Sequence, residues 1–366
     1  MSLFEPPSDE QAEFGPYSRA LVLGLAAATA AGASLHPAPV YKTSTPATAP
    51  ISGYESTSAP VPSYEYASAP MHSYEATSAP IIYEKPAAPQ NGSIDYPVPS
   101  ETVLKATKIP RLIFMTSEFR EDKLPNEISE IMEDIRENNP EYEILYFDAE
   151  QREAFIHKEF DDDVVDLAYK ALMPGAYKAD LWRYLVLYKY GGVYMDVGMQ
   201  PLVPLSEIVK DSDDFVSVGD GYYGILNSFI AARAKDEVLR TAIRMIIYNI
   251  RDDRYGKNPL DVTGPLTLQR AFNGVNGYDG LHQIRPGVET VHEVSYSFLN
   301  HQPDRKDMEN GAFIGGPDGL VLKRKFPGYN KVMYQNLDLR NYDHMWRYEA
   351  VFNPEPQKEL ADLVEE

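Results

Sequence analysis

Residues 177–198 constrain the fold more than any other part of the chain. Ala179, Trp182, Leu185 and Val186 recur at helical spacing, which predicts a helix with that stripe against the core. Asp180 and Arg183 stand three residues apart and share a different face. Gly191-Gly192 ends the helix, because glycine takes left-handed backbone conformations at little steric cost. Val193-Tyr194-Met195 then reads as a short strand with Asp196 at its carboxyl end. Any fold adopted by this chain must turn a helix directly into a strand that presents an acid.

The surrounding sequence supplies the partners such a unit needs. From Lys108 onward, Ile109-Pro110-Arg111-Leu112-Ile113-Phe114-Met115 reads as a buried opening strand. Ile128, Ile131, Met132 and Ile135 predict a helix over 127–137, closed by Asn138-Asn139-Pro140. A second strand follows at Tyr142–Phe147, with helical patterns at 151–155 and 164–172. Further strands are predicted at 215–218 and 228–232, and a helix at 236–250. Strands alternating with helices predict an α/β fold with a mostly parallel central sheet. In such sheets ligands sit beyond the carboxyl ends of the strands. Asp161-Asp162-Asp163 reads as a solvated helix start, since adjacent carboxylates do not converge on one ion.

The first hundred residues are of a different kind. They hold 15 of the 29 prolines, with 3 basic and 9 acidic residues. A decapeptide recurs there as Tyr54-Glu55, Tyr64-Glu65 and Tyr74-Glu75, each followed by Ser-Ala-Pro, and decays at Tyr83-Glu84. So few aliphatic residues cannot offset roughly 1–2 kcal/mol of ordering entropy per residue. Residues 37–100 are therefore expected to be a disordered linker, with a glycosylated stalk or peptide-binding arm as the functional alternative. Residues 1–36 form a separate N-terminal segment. Its apolar stretch 20–35 is short of strongly apolar residues for a spanning helix, and its flank carries Glu5, Asp9, Glu10 and Glu13 with only Arg19 as a base. It is either a signal or membrane anchor, or a soluble Ala-rich segment. Residues 101–356 are expected to form the folded domain, and 357–366 an acidic tail.

Net charge and cysteine count exclude several classes. The chain carries −21, which argues against a nucleic-acid partner. It has no cysteine, so disulfides, thiolate zinc sites and thiol nucleophiles are absent.

The segment Ala176, Asp180, Arg183, Gly191, Gly192, Tyr194 and Asp196 resembles the DXD-containing sugar-binding region of glycosyltransferase family 32, of the initiating α-1,6-mannosyltransferase kind. Ile109–Ile113 resembles that family's first strand. Asn139-Pro140-Glu141-Tyr142 resembles the lead-in to its second, and Thr263-Gly264-Pro265 a later element. Tyr342-Asp343-His344-Met345-Trp346 resembles its C-terminal histidine–tryptophan stretch. Together these span roughly 108–350. The second aspartate of the D-x-D pair is Gly198 here, so the motif is degenerate.

The resemblance implies a GT-A-like nucleotide-sugar-binding fold and a retaining hexosyltransferase. The donor would be GDP-mannose or a UDP-hexose, and the acceptor a glycan, glycoprotein or glycolipid. Asp196 is implied as the catalytic, donor- and metal-binding carboxylate. Asp180, Arg183, Tyr194 and Gly192 would line the donor site. A divalent cation, Mn²⁺ or Mg²⁺, is implied, with His344 as a candidate second ligand; His344 is equally readable as a stacking or loop histidine. Thr263, Gly264, Lys323 and Trp346 are candidates for the acceptor or diphosphate, while Thr263-Gly264 also reads as a bare turn and Trp346 as a packed aromatic. The cluster Lys323-Arg324-Lys325 is available to neutralise diphosphate if metal is weak or absent. The location would be a Golgi or secretory-pathway membrane if 20–35 is an anchor, and cytoplasmic otherwise. Two other readings remain: a sugar-nucleotide-binding pseudoenzyme, and a surface or scaffold protein whose repeat arm carries the main role.

Overall fold

The computed structural model describes residues 94–364, apart from 161, 220–223, 279–283, 303–312, 327 and 335–341. The decapeptide repeats and the apolar stretch at 20–35 lie outside the described residues.

The strands are β1 (Leu112–Thr116), β2 (Glu143–Phe147), β3 (Gly192–Met195), β4 (Gln200–Pro201), β5 (Phe215–Gly219), β6 (Ile225–Ala232), β7 (Gly287–Val291), β8 (Val294–Gln302), β9 (Phe313–Gly316) and β10 (Gly319–Lys323). The principal helices are α1 (Asn126–Asn138), α2 (Ala149–Glu159), α3 (Asp163–Ala171), α4 (Gly175–Tyr190), α5 (Glu237–Arg251), α6 (Pro265–Asn276), α7 (Tyr329–Tyr334), α8 (Tyr342–Arg347) and α9 (Pro354–Val364). The strands form one sheet in the order β2-β1-β3-β6-β5-β8-β9-β10-β4, with β7 also on β8.

Alternation along the central strands separates two cores. Leu112, Phe114 and Tyr194 point into a core shared with Phe147, Trp182 and Leu185, under α2–α6 and α9. Ile113, Met115, Val193 and Met195 point to the other face, against Ile128, Ile131 and Met132 of α1. This is the period-2 consequence of the pleat, and it makes a sheet covered by helices on both faces.

The sheet is mixed, which corrects the mostly parallel expectation. β1–β2, β1–β3 and β5–β8 pair in parallel. The ladders β3–β6, β5–β6, β7–β8, β8–β9, β9–β10 and β10–β4 are antiparallel. For the consecutive pairs β7–β8 and β9–β10 the reason is loop length. A parallel return needs a crossover of a dozen residues or more, whereas a hairpin needs two. β7 and β8 are joined by His292-Glu293 alone, both at positive φ (49° and 67°), as a hairpin turn of matching twist requires. β9 and β10 are joined by Pro317-Asp318.

Two expected boundaries also move. Residues 94–99 belong to the folded unit: Tyr96 is buried, stacks on Phe147 and donates a hydrogen bond to Glu159 at 2.6 Å. The expected acidic tail is largely helix α9, anchored through buried Leu360. Its acids and lysine occupy the outer face, so composition reads as tail while the Leu360 side of the helix docks.

Helix starts follow local chemistry. Asp162 accepts from the Val164 amide and caps α3, as the acidic triplet implied. Asp148 and Gln151 form a reciprocal capping box on α2. Asp236 accepts from the Val238 and Leu239 amides and caps α5. Its carboxyl is almost fully buried, and burial pushes its pKa from 3.8 up to about 6, opposed by the Leu239 amide and Arg233. A raised acid pKa means that the folded state holds the proton more tightly. The group's stabilising contribution is thus fully present below 3.8 and lost as pH rises through about 6. Asp236→Asn keeps a capping oxygen and removes the titration. Denaturant unfolding should show wild type losing stability relative to this variant between those two pH values.

Candidate functional site

Helix α4 is buried nearly all round: Tyr177, Leu181, Trp182, Arg183, Tyr184, Leu185, Val186 and Leu187 are all inaccessible. A helix this apolar belongs inside the fold. A buried charge is costly there unless it is well partnered, and Arg183 is. Its Nη2 reaches Asp180 Oδ1 at 3.0 Å. Its Nη1 donates to the Asn227 carbonyl at 2.7 Å and to Asp196 Oδ1 at 3.4 Å, and its Nε donates to the Ala179 carbonyl at 3.3 Å. The guanidinium also lies 4.4 Å from the centre of the Tyr194 ring. Burial works against its charge, but Tyr194, Asp180 and Asp196 hold it firmly protonated.

Asp180 is gripped as tightly. Oδ2 accepts from the Thr263 hydroxyl at 2.7 Å, and Oδ1 accepts from Asn227 Nδ2 at 2.8 Å. Asn227 Nδ2 also donates to the Tyr184 hydroxyl at 3.1 Å. Burial raises the Asp180 pKa, while Arg183, Thr263 and Asn227 pull the other way.

Asp196 is the open member of the network. Its side chain is 34% exposed, against 13% for Asp180 and 8% for Arg183. Tyr194 donates to Asp196 Oδ1 at 2.8 Å, and the Asp196 amide donates to the Ser228 carbonyl at 2.9 Å. Asp196 stands at the carboxyl end of β3, as the sequence pattern indicated. The Ser228 hydroxyl is buried and has no hydrogen-bond partner among the described residues. An unpaired buried hydroxyl is costly unless something completes it.

The other candidates fall in different places. Thr263 and Gly264 reach the network, with Thr263 buried and its hydroxyl spent on Asp180. Gly192 has φ +107°, and a Cβ there would stand 3.0 Å from Leu112 Cβ, so it serves the close approach of β3 to β1. His344 is exposed, with its ring 4.6 Å from that of Tyr348. Trp346 packs against the core and donates to the Tyr255 carbonyl at 2.7 Å. Lys323 ends β10 opposite Gln200. Its neighbours Arg324 and Lys325 interact electrostatically with Asp196.

Asn227, Ser228 and Tyr329 were not picked out by the sequence reading. Asn227 did carry a signal, as an amide in the apolar run 225–232.

Among the described residues, those around Asp196 do not make up the ligand set of a protein-held divalent ion. Position 198 offers no carboxylate. It also has φ +91°, and a Cβ built there would lie 2.5 Å from a Tyr329 ring carbon. Asp196 Oδ1 already accepts from Tyr194 and Arg183. Among the described residues no three His, Asp or Glu side chains converge, so His344 does not complete such a group with Asp196. The same residues also show no helix long and apolar enough to cross a membrane.

The comparisons bear on this same segment. Residues 125–215, which include α1, β2, α4 and β3, match the family model described as a glycosyltransferase sugar-binding region containing DXD motif. The initiation-specific alpha-1,6-mannosyltransferase of Schizosaccharomyces pombe is 33% identical over 120 residues. That alignment covers 31% of this chain and 30% of the relative. The solved PaToxG glycosyltransferase is 17% identical, with a TM-score of 0.36, over 45% of this chain and 69% of that one. The family match and the yeast relative thus make the chain similar to DXD-containing glycosyltransferases over part of its length.

Two stability outcomes follow. Asp180→Ala leaves Arg183 as a buried cation short of a partner and should cost about 3–5 kcal/mol in denaturant unfolding. Gly198→Ala meets both the positive φ and the Tyr329 ring and should cost about 1–3 kcal/mol by the same measurement.

Proposed function

We propose that the protein is a glycosyltransferase that moves a hexose, mannose or another, from a nucleotide-sugar donor to an acceptor hydroxyl on a glycan or glycoconjugate, with retention of configuration. The observation that carries this reading is Asp196. It is the partly exposed carboxylate of an otherwise buried charge network, at a strand's carboxyl end, inside the segment that matches a sugar-binding region.

In this reading Asp196 accepts hydrogen bonds from donor hydroxyls at its partly exposed edge. Asp180 and Arg183 act by position. Each is satisfied by protein groups, and together with Asn227 and Thr263 they fix the carboxylate before substrate arrives. Such preorganisation lowers the barrier because the protein does not reorganise as charge moves to the leaving diphosphate. The reaction breaks the bond from the anomeric carbon to the diphosphate oxygen and forms one to the acceptor oxygen. The acceptor proton is released in the process. The arrangement of α/β layers around the strand ends supports a GT-A-like fold.

Turnover of the full chain across GDP-mannose and UDP-hexoses tests the assignment, read as released nucleoside diphosphate. Asp196→Asn preserves shape and removes the charge. It should lower turnover by about 10²-fold or more with an unchanged melting temperature. Equal turnover by that variant would overturn the role of Asp196.

A further inference from the structure

We propose that the protein supplies the positive charge for the donor diphosphate itself, through Arg324 and Lys325, in place of a divalent ion held by a D-x-D pair. This rests on the donor-site reading of Asp196 and adds to it.

Three placements support it. β10 runs antiparallel to β4, with Leu322 opposite Pro201 and Lys323 opposite Gln200. The chain that leaves this ladder at 324–325 therefore runs beside the loop from Asp196 to Met199. Tyr329 then closes over Gly198, within 2.5 Å of where a Cβ would stand. Lys325 Nζ in turn lies 4.8 Å from the centre of that same ring. The space where the pattern would place a second aspartate thus holds an aromatic ring with a cation on its face. Such a contact favours a protonated amine.

The electrostatics agree with the geometry. Arg324 and Lys325 are half-buried, and burial lowers the pKa of each, while Asp196 acts in the opposite direction. Asp196 is the partly exposed carboxylate of the network and shares Arg183 with Asp180. Diphosphate oxygens at its open edge would meet the charges of Arg324 and Lys325. A guanidinium offers phosphate oxygens a planar pair of donors, and a lysine offers a compact charge. Partial burial keeps such contacts strong by limiting solvent screening.

Calorimetric titration of GDP and UDP into the full chain, in EDTA and in Mn²⁺, tests the proposal. Lys325→Met retains the apolar stem over Tyr329 and removes the charge, Lys325→Arg restores it, and Arg324→Gln provides a second site. At least one nucleotide should bind equally well with and without metal. Lys325→Met and Arg324→Gln should each weaken that binding by roughly tenfold or more, and Lys325→Arg should regain most of it. Melting temperatures should match wild type. Binding that appears only with Mn²⁺, or that both charge-removing variants leave unchanged, overturns the proposal while the donor site stands. Failure of both nucleotides to bind in every condition overturns the donor-site reading, and this proposal with it.

Discussion

Arg183 is a buried cation, and the centre of the molecule is arranged around it. Its guanidinium joins α4 to the end of β3 through Asp196 and to β6 through the Asn227 carbonyl. A charge in such a setting is tolerated only when every donor is used, and each nitrogen of the guanidinium has a partner. The consequence reaches beyond stability. With Arg183 fixed, Asp180 is committed inward and Asp196 alone keeps an open edge. One residue thereby separates a structural acid from an acid available to a ligand.

The mixed sheet makes this possible. β6 returns antiparallel between β3 and β5, so Tyr194 lies opposite Ile230, and Met195 opposite Phe229. The next residues of each strand, Asp196 and Ser228, are joined by a backbone hydrogen bond. A crossover connection in the same position would have brought a different end of the strand to the site. The antiparallel return is what delivers the Asn227 amide to Asp180 and the Ser228 carbonyl to the Asp196 amide. At the far edge, the β9–β10 hairpin sends Arg324 and Lys325 back along the same loop. This hairpin also supplies Ile314 and Leu322 to the core on the α1 face.

Legibility differed by residue for physical reasons. Helix α1, the β1 and β2 strands, and the α4–glycine–β3 unit were readable because apolar period and turn chemistry agree locally. The strands 287–323 were not read: β7 is mostly exposed, and the alternation of Tyr296 and Phe298 in β8 is short and set among polar residues. Leu360 was masked by its acidic neighbours, and Tyr96 by the proline-rich stretch before it. His344 and Trp346 lie in a helix of the expected sequence pattern, yet the fold spends Trp346 on the Tyr255 carbonyl and leaves His344 against Tyr348.

The sequence alone determined that a helix must stop at Gly191-Gly192 and hand an acid to the end of a short strand. Backbone permissiveness and a local apolar pattern suffice for that. It also determined that Gly198 cannot ligate through a side chain. Only the tertiary structure decided why no larger residue fits there. The reason is a ring from position 329, brought in by a hairpin more than a hundred residues away in sequence. It likewise decided which of two similar aspartates faces outward. Both are carboxylates on the same motif, and only the positions of Thr263, Asn227 and Arg183 around one of them tell the two apart.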